Sequence, residues 1–296
     1  MGVGEKLNNY LRGNRFNSRG LYNRPMTASQ SKQPPEVGRL LRDYRAVAGM
    51  SQLDLALVAE SSARHISFVE TGRAKPSPAL LARIAEALDL TLRDRNAVLL
   101  AAGSAPRYPE RALDDQGFDL VRRGLDHLLR AYEPYPALVM NAQWDLYMAN
   151  APATALMEAL GVGSTAGQGA PNLLRMMLHP DGLRQSIVDR EQAARIIIRR
   201  ARNEQLHCPN EGRRRLVEEV ATYPGMPTDL YEDQTNPDPL PLLTVTFERG
   251  DMRSSWFTMV TTFGTPQDIT LQELSIESFF PADAATDAAV RALAAD

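Results

Sequence analysis

The chain has a single cysteine, Cys208, among 296 residues. No disulfide framework can therefore form within it, and cysteine usage of this kind fits a reducing compartment. Histidine is scarce and scattered: His65, His127, His179 and His207. The adjacent pair His207-Cys208 lacks metal-ligand spacing, and no CxxC or HExxH occurs. There is no GxSxG, Walker loop or GxGxxG, and the glycines of Gly161-Val162-Gly163 and Gly167-Gln168-Gly169 follow no strand. Long apolar runs are missing as well; none approaches the roughly 20 residues needed to cross a bilayer. The N-terminus has no apolar signal core. The expectation is a cytoplasmic protein without membrane insertion, catalytic centre, metal or cofactor. Cys208 reads as an inert thiol.

Hydrophobic residues make up 44% of the chain, which supports real cores, and the length allows two domains. The net charge of −3 is unevenly spread. Residues 1–35 carry six basic side chains against Glu5, and residues 36–107 carry ten basic against eight acidic. The acidic excess therefore belongs to the C-terminal part, which DNA would repel.

The stretch Ser51–Ser77, SQLDLALVAESSARHISFVETGRAKPS, reads as two short helices joined at a corner. Ser51 and Ser62 suit N-caps. Leu53, Leu55, Ala56 and Val58 give the first helix its apolar face, and Ala59-Glu60-Ser61 makes the corner. Ile66 and Val69 are the inward residues of the second helix, Gly72 suits a left-handed C-cap, and Pro76 and Pro78 stop it. Ala63, Arg64, Ser67 and Phe68 are left facing outward. A helix of this size fits the major groove, with its N-terminal residues at the base edges. An ordinary helical hairpin would satisfy the same pattern.

Upstream, a helix opening near Pro35-Glu36 carries Val37, Leu40, Leu41, Tyr44 and Val47 and ends at Gly49. Downstream, Ser77-Pro78 opens a fourth helix with Leu80, Leu81, Ile84, Ala85 and Leu88 inside. A fifth opens at Thr91 or Leu92 and runs to Gly103. Residues 37–92 resemble the Cro/C1-type (XRE family) repressor domain in Leu40-Leu41-Arg42, Arg45, Gly49, Ser51-Gln52, Leu55-Ala56, Ser62, Ile66-Ser67, Val69-Glu70, Gly72, Pro76-Ser77, Leu80-Leu81, Ile84-Ala85 and Leu88. The resemblance implies a five-helix fold. It also implies DNA contacts from Gln52, Ser62, Ala63, Arg64, Ser67 and Phe68, with Arg73 and Lys75 beside the phosphates. Glu70 is implied to be structural. Ala63 and Phe68 stand where many members are polar, so apolar contact with a thymine methyl replaces hydrogen-bond readout there.

Residues 1–35 read as a basic flexible tail. It is either a cationic arm that reaches DNA or an extension without a role, with Met26 as an internal start. Residues 105–109 read as a linker. Residues 114–131 read as an amphipathic helix with Phe118, Val121, Leu125, Leu128 and Leu129 on one face. Ala137–Met140 and Trp144–Ala149 read as strands about a turn, and Asn150 as the cap of a following helix. Residues 171–206 and 212–221 read as helical, with Arg199, Arg200, Arg202 and Arg213-Arg214-Arg215 on solvated faces or gripping phosphate. Residues 224–241 contain five prolines and read as a loop. Leu242–Phe247 and Trp256–Thr262 read as a hairpin about Arg249-Gly250-Asp251, Leu271–Phe280 as a last strand, and the tail after Ala282 as a short helix.

Residues 107–281 resemble the ligand-binding domain of MmyB-like transcription regulators. The features are Glu133-Pro-Tyr-Pro-Ala137, Trp144 with Asn150, Asn172-Leu-Leu, Leu178-His-Pro180, Phe263-Gly-Thr-Pro266 and Phe279-Phe-Pro281. The resemblance implies a PAS-like α+β fold that holds a fatty-acid-like or other apolar ligand. Trp144, Tyr147, Met148, Met176, Met177, Trp256, Phe257 and Met259 are the candidate lining, although strand alternation allows only some of them to point inward. A filled core is the plain alternative. The expected architecture is therefore a tail (1–35), a mainly α helix-turn-helix domain (36–104), a PAS-like domain (107–281) and a tail (282–296). The expected function is a ligand-responsive regulator that binds double-stranded operator DNA as a homodimer. A C-terminal half that binds a protein partner, in the manner of an antitoxin or adaptor, and an enzyme with a DNA-binding appendage remain open.

Overall fold

The polar spacing that marks helix starts is where the chain's helices begin. The computed structural model describes residues 36–161, 171–207, 210–230 and 244–293. Its first five helices are α1 (Glu36–Val47), α2 (Gln52–Val58), α3 (Ala63–Glu70), α4 (Pro78–Ala87) and α5 (Leu92–Ala101). Four are capped by hydroxyls: Ser51 accepts from the Asp54 amide at 3.1 Å, Ser62 from His65 at 3.1 Å, Ser77 from Leu80 at 3.2 Å and Thr91 from Asp94 at 3.1 Å. Each such cap is worth about 1 kcal/mol. The left-handed Gly49, Gly72 and Gly103 follow α1, α3 and α5. The basic tail, residues 1–35, lies outside the described residues.

Leu41, Leu55, Ile66, Val69, Leu80, Leu81, Ile84 and Val98 are buried together as one core. Three residues expected inside are not. Val47, Leu53 and Val58 are all more than half exposed, because these helices are short and each can turn only a narrow stripe toward the shared core. Gly38 is instead an unexpected contact point. A Cβ there would sit 2.5 Å from the Glu70 carbonyl oxygen, so α1 and α3 approach through its missing side chain.

The described residues divide into two compact units, 36–112 with 265–272 and 113–264 with 273–293. The expected linker at 105–109 therefore belongs to the helical unit. The buried Asn96 holds it, with Oδ1 accepting from the Arg107 and Tyr108 amides at 2.9 and 3.0 Å and Nδ2 donating to the Tyr108 carbonyl at 2.7 Å. Residues 265–272 complete the same unit. The Ile269 amide donates to the Pro109 carbonyl at 2.9 Å, and Gln272 Oε1 accepts from the Leu92 amide, at the start of α5, at 2.7 Å.

The second unit is α+β. A 3-10 turn (Gln116–Phe118) leads into α6 (Asp119–Ala131), then β1 (Ala137–Met140), β2 (Leu146–Ala149), α7 (Ala151–Ala159), α8 (Leu173–Leu178), a 3-10 turn (Leu183–Ser186), α9 (Arg190–His207) and α10 (Glu211–Ala221). Next come β3 (Thr244–Arg249), β4 (Met252–Thr262), β5 (Ser275–Pro281) and α12 (Ala284–Leu293); the short α11 (Ile269–Glu273), between β4 and β5 in the chain, belongs up to Gln272 to the helical unit. The five strands form one antiparallel sheet in the order β2-β1-β5-β4-β3. The register Leu138↔Glu277, Val260↔Glu277, Trp256↔Pro281 and Phe247↔Ser254 puts Leu138, Met140, Glu277, Phe279, Trp256, Ser254, Val245 and Phe247 on one face. Most of that face packs in the main core with Leu174, Leu178, Ala194, Ile198, Leu216 and Val220 of the helices. Buried Val139 and Ile276 lie on the opposite face, and buried Leu125 and Leu129 belong to α6, which packs on β1.

Four expectations change here. Trp144 is not in a strand; it sits before β2 with φ +64, where the turn reverses the chain. The helical reading of 171–206 breaks at His179–Gly182 and again at Ile187–Asp189. The last strand starts at Ser275, because Asp268 caps a helical turn over 269–273: its Oδ1 accepts from the Thr270 amide at 2.9 Å. Arg200 and Arg213 do not lie on solvated faces, since both are committed to partners inside the unit. Arg199, Arg202, Arg214 and Arg215 are exposed. Cys208 and most of the proline-rich loop lie outside the described residues.

Candidate nucleic-acid interface and ligand-binding core

Helix α3 has two faces set by its spacing. Ile66, Val69 and Glu70 are buried, and the other side carries exposed Arg64 with half-buried Ser67 and Phe68. Arg64, Ser67, Phe68 and Thr71 are three and four residues apart and so share one stripe. Phe68 organises the charge of that stripe. The Arg64 guanidinium carbon lies 5.2 Å from its ring centroid and that of Arg73 lies 5.9 Å away. Each cation–π contact at an exposed site is worth about 0.5–1 kcal/mol. Lys75 is exposed beyond Arg73.

The remaining expected contacts are partly occupied. Ser62 Oγ is the N-cap acceptor, so its hydroxyl hydrogen is what remains for a phosphate. Ala63 is half-buried and packs against the core. Gln52 Nε2 donates to Glu70 Oε2 at 2.8 Å, which leaves one of its two N–H bonds to donate outward.

Glu70 holds the motif's elements together. It is 1% exposed and accepts from Arg45 Nε at 2.7 Å and Arg45 Nη2 at 2.9 Å, as well as from Gln52. Burial by itself would raise its pKa. The Arg45 and Gln52 hydrogen bonds and the nearby Arg45 and Arg42 charges outweigh that, and the carboxyl sits below the ordinary range. The structural role that the resemblance implied for Glu70 is therefore visible as a clamp between α1, α2 and α3.

In the second unit, the candidate lining residues do not gather at one place. Trp144, Met177 and Trp256 are in the main core and Met176 packs against it. Tyr147 and Met148 are half-buried neighbours on β2. Phe257 lies on the opposite sheet face, with its ring 5.7 Å from that of Phe280, and Met259, on the same face, is 58% exposed. Strand alternation thus separates the eight.

A polar cluster that sequence reasoning missed lies within this core. Glu277, 3% exposed at the centre of the sheet, takes a bidentate pair from Arg200 of α9 at 2.6 and 2.9 Å. The Arg200 guanidinium also bonds Glu204 at 3.1 Å and lies 4.7 Å from the Trp144 ring centroid. Trp144 Nε1 donates to Glu204 Oε2 at 3.0 Å. Buried Arg213 donates to the Ala142 carbonyl at 2.7 Å. The one signal for this in the sequence was an acidic residue, Glu277, among the residues of a strand that also holds Ile276, Phe279 and Phe280.

Asn150 is a second hub. Its side chain accepts from Ala153 and Ala137 amides at 3.0 and 2.9 Å and donates to the Leu129 and Tyr135 carbonyls at 3.1 and 2.8 Å. It fixes α6, β1 and α7 together. Among the described residues no cluster of three or more His, Cys, Asp or Glu could hold a metal ion. No described helix is long and apolar enough to cross a membrane.

Comparison with known proteins matches both units. A helix-turn-helix domain model covers residues 36–98, and the MmyB-like transcription regulator ligand binding domain covers residues 121–293. Two crystal structures of the clp gene regulator ClgR from Corynebacterium glutamicum are similar in sequence. One is 32% identical over 23% of this chain and 86% of its own, the other 25% identical over 34% and 93%, each with a TM-score of 0.21. No curated protein matches. With the ligand-binding domain match spanning more than half of its length behind a helix-turn-helix domain, the chain belongs to the family of MmyB-like helix-turn-helix transcription regulators.

Proposed function

We propose that the protein is a cytoplasmic regulator that reads an operator with α3 and changes its DNA affinity when the second unit binds a small apolar, fatty-acid-like molecule. The observation that carries the DNA half is the Arg64–Phe68 pair on the outward side of α3, joined by Arg73 from the turn after it. Arg64 is assigned bidentate contact with guanine in the major groove, and Phe68 contact with a thymine methyl. Arg73, Lys75, Ser62 and the free Gln52 N–H are assigned to phosphates, and Ser67 and Ala63 to the groove floor. One such module is small, so a homodimer on a two-fold site is the natural arrangement, with α6 as a candidate contributor.

The ligand half rests on the family and on the apolar core around Trp144, Met177 and Trp256. The chain passes between the two units at 112–113, 264–265 and 272–273. A ligand that prefers one arrangement of the second unit therefore has three covalent routes to the first.

The test uses an operator selected from a random pool and fluorescence anisotropy. Arg64→Ala is expected to weaken binding by about 1–3 kcal/mol and to relax preference at one position. Arg73→Ala and Lys75→Ala are expected to weaken all sequences alike and to lower the salt slope by about one each. An Arg64→Ala protein with unchanged affinity and preference would remove its assigned role. Native mass spectrometry with solvent extraction tests the other half. A co-purifying apolar molecule at one per subunit is expected, and the same spectrum reports the dimer. A ligand-free protein that captures a protein partner instead would favour the adaptor reading.

A further inference from the structure

Four buried side-chain atoms among the described residues have no hydrogen-bond partner: Ser254 Oγ, Trp256 Nε1, Asp268 Oδ2 and Ser278 Oγ. Two of these are accounted for. Asp268 Oδ2 faces Arg111 at 3.7 Å, and Ser278 lies beside the Tyr132 hydroxyl, which it helps to acidify. The other two remain, and their residues share one strand and one sheet face. Ser254 and Trp256 are two residues apart on β4, so both point to the helix-packed face. They are 8% and 2% exposed. Around them that face carries the apolar Phe247, Val245 and Phe279, with half-buried Thr258 the next residue on the same side of β4. A donor left buried and unmade is costly, and two on one face mark a place where a polar atom belongs.

Resting on the small-molecule reading above, we propose that Ser254 Oγ and Trp256 Nε1 are the polar anchor of the ligand, and that the group they hold is an uncharged oxygen acceptor such as an ester, ketone or lactone carbonyl. The indole N–H can only donate, which requires an acceptor. A carboxylate there needs a cation, and the unit's buried guanidinium groups are already engaged. Arg200 is bound by Glu277 and Glu204, Arg213 by the Ala142 carbonyl, and Arg184 by the Pro224 and Gly225 carbonyls. An unpaired buried anion is penalised heavily.

The chain has two tryptophans, so the full-length ¹⁵N-labelled protein gives two indole N–H signals, and the one missing in Trp256→Phe is assigned to Trp256. Methyl decanoate, decanoate and decane are added in turn, and affinities are measured by calorimetry at pH 8. Methyl decanoate is expected to shift the Trp256 indole signal and leave that of Trp144 in place. Ser254→Ala and Trp256→Phe should each bind methyl decanoate about 3- to 10-fold more weakly, with decane unaffected by Ser254→Ala. Decanoate should bind more than ~10-fold more weakly than its ester. An unmoved Trp256 signal with ester affinity unchanged in Ser254→Ala would overturn the anchor while leaving the sensor reading intact. Decanoate binding as tightly as the ester would overturn the uncharged assignment. Wild-type protein that binds none of the three would count against the small-molecule reading, and the anchor would fall with it.

Discussion

Replacing Glu70 with Ala is expected to destabilise the helix-turn-helix unit by about 3–5 kcal/mol, the cost of leaving a buried charge without its partner. That is a large part of the ~5–15 kcal/mol that holds a domain folded. Arg45, with a side chain only 14% exposed, would keep just the Met50 carbonyl at 2.9 Å. Gln52 would lose the anchor of its amide, and α1, α2 and α3 their shared acceptor. In a unit of this size the loss corresponds to a fall of more than ~12 °C in the melting midpoint, read by calorimetry on the full chain. Glu70→Gln, which keeps the shape and some hydrogen bonds, should lose less. A pH dependence follows from the same group. Its folded pKa is below the ordinary 4.5 of a free glutamate, because the Arg45 and Gln52 hydrogen bonds outweigh burial. The contribution is therefore complete above about 4.5 and disappears as pH falls through the lower folded value. Wild type should lose midpoint over that interval, and Glu70→Ala should lose less. A change under 1 kcal/mol at pH 7 would mean that the apolar core alone holds the three helices.

The features that sequence reasoning located are the local ones. Ser51, Ser62, Ser77, Thr91 and Asn150 cap helices, and a cap acts within three residues, so the chain order carries it. Ile66 and Val69 are buried for the same reason: eight residues of helix contain their own periodicity. What was not legible depends on distance along the chain. Arg200 and Glu277 are 77 residues apart, and nothing in either neighbourhood names the other. Arg200 therefore read as one of several solvated arginines. Asn96 ties down residues 107–108 from eleven and twelve positions away, and nothing around it in the chain names them. Trp144 shows a different failure. Its apolar surroundings suit a strand, but the turn before β2 needs a left-handed residue, and the gain from burying the indole outweighs the local preference. The lining list mixed both sheet faces because aromatic and Met content marks burial without marking side. Parity along β4 separates Trp256 from Phe257 and Met259, and it also brings Ser254 into the argument. Of the DNA-facing list, Arg64, Phe68 and Arg73 gather, whereas Ala63 and Gln52 are drawn toward the core.

In the second unit, Glu277→Ala is expected to cost about 3–5 kcal/mol, and replacing Arg200 and Glu277 together by Met and Leu to recover most of it. The asymmetry has a simple origin. Glu277 is 3% exposed and its two oxygens are both bonded to one guanidinium. Removing the carboxylate leaves Arg200 with Glu204 and the Trp144 ring, too little for a charge held against the sheet. Removing both charges leaves apolar side chains among Leu138, Met140 and Phe279 on the same face, where they can pack. Glu204 keeps the Trp144 indole in either case. Thermal unfolding of Arg200→Met, Glu277→Leu and the double variant gives the coupling between the residues directly. Losses that simply add would mean that the pair does not act as a unit. Recovery of stability in the double variant has a further consequence when ligand affinity is measured on the same samples. Retained affinity would make the pair a matter of fold alone. Restored stability with lost affinity would mean that Arg200 and Glu277 are kept charged to fix the geometry of the core around the site, at a cost that an apolar core would not carry.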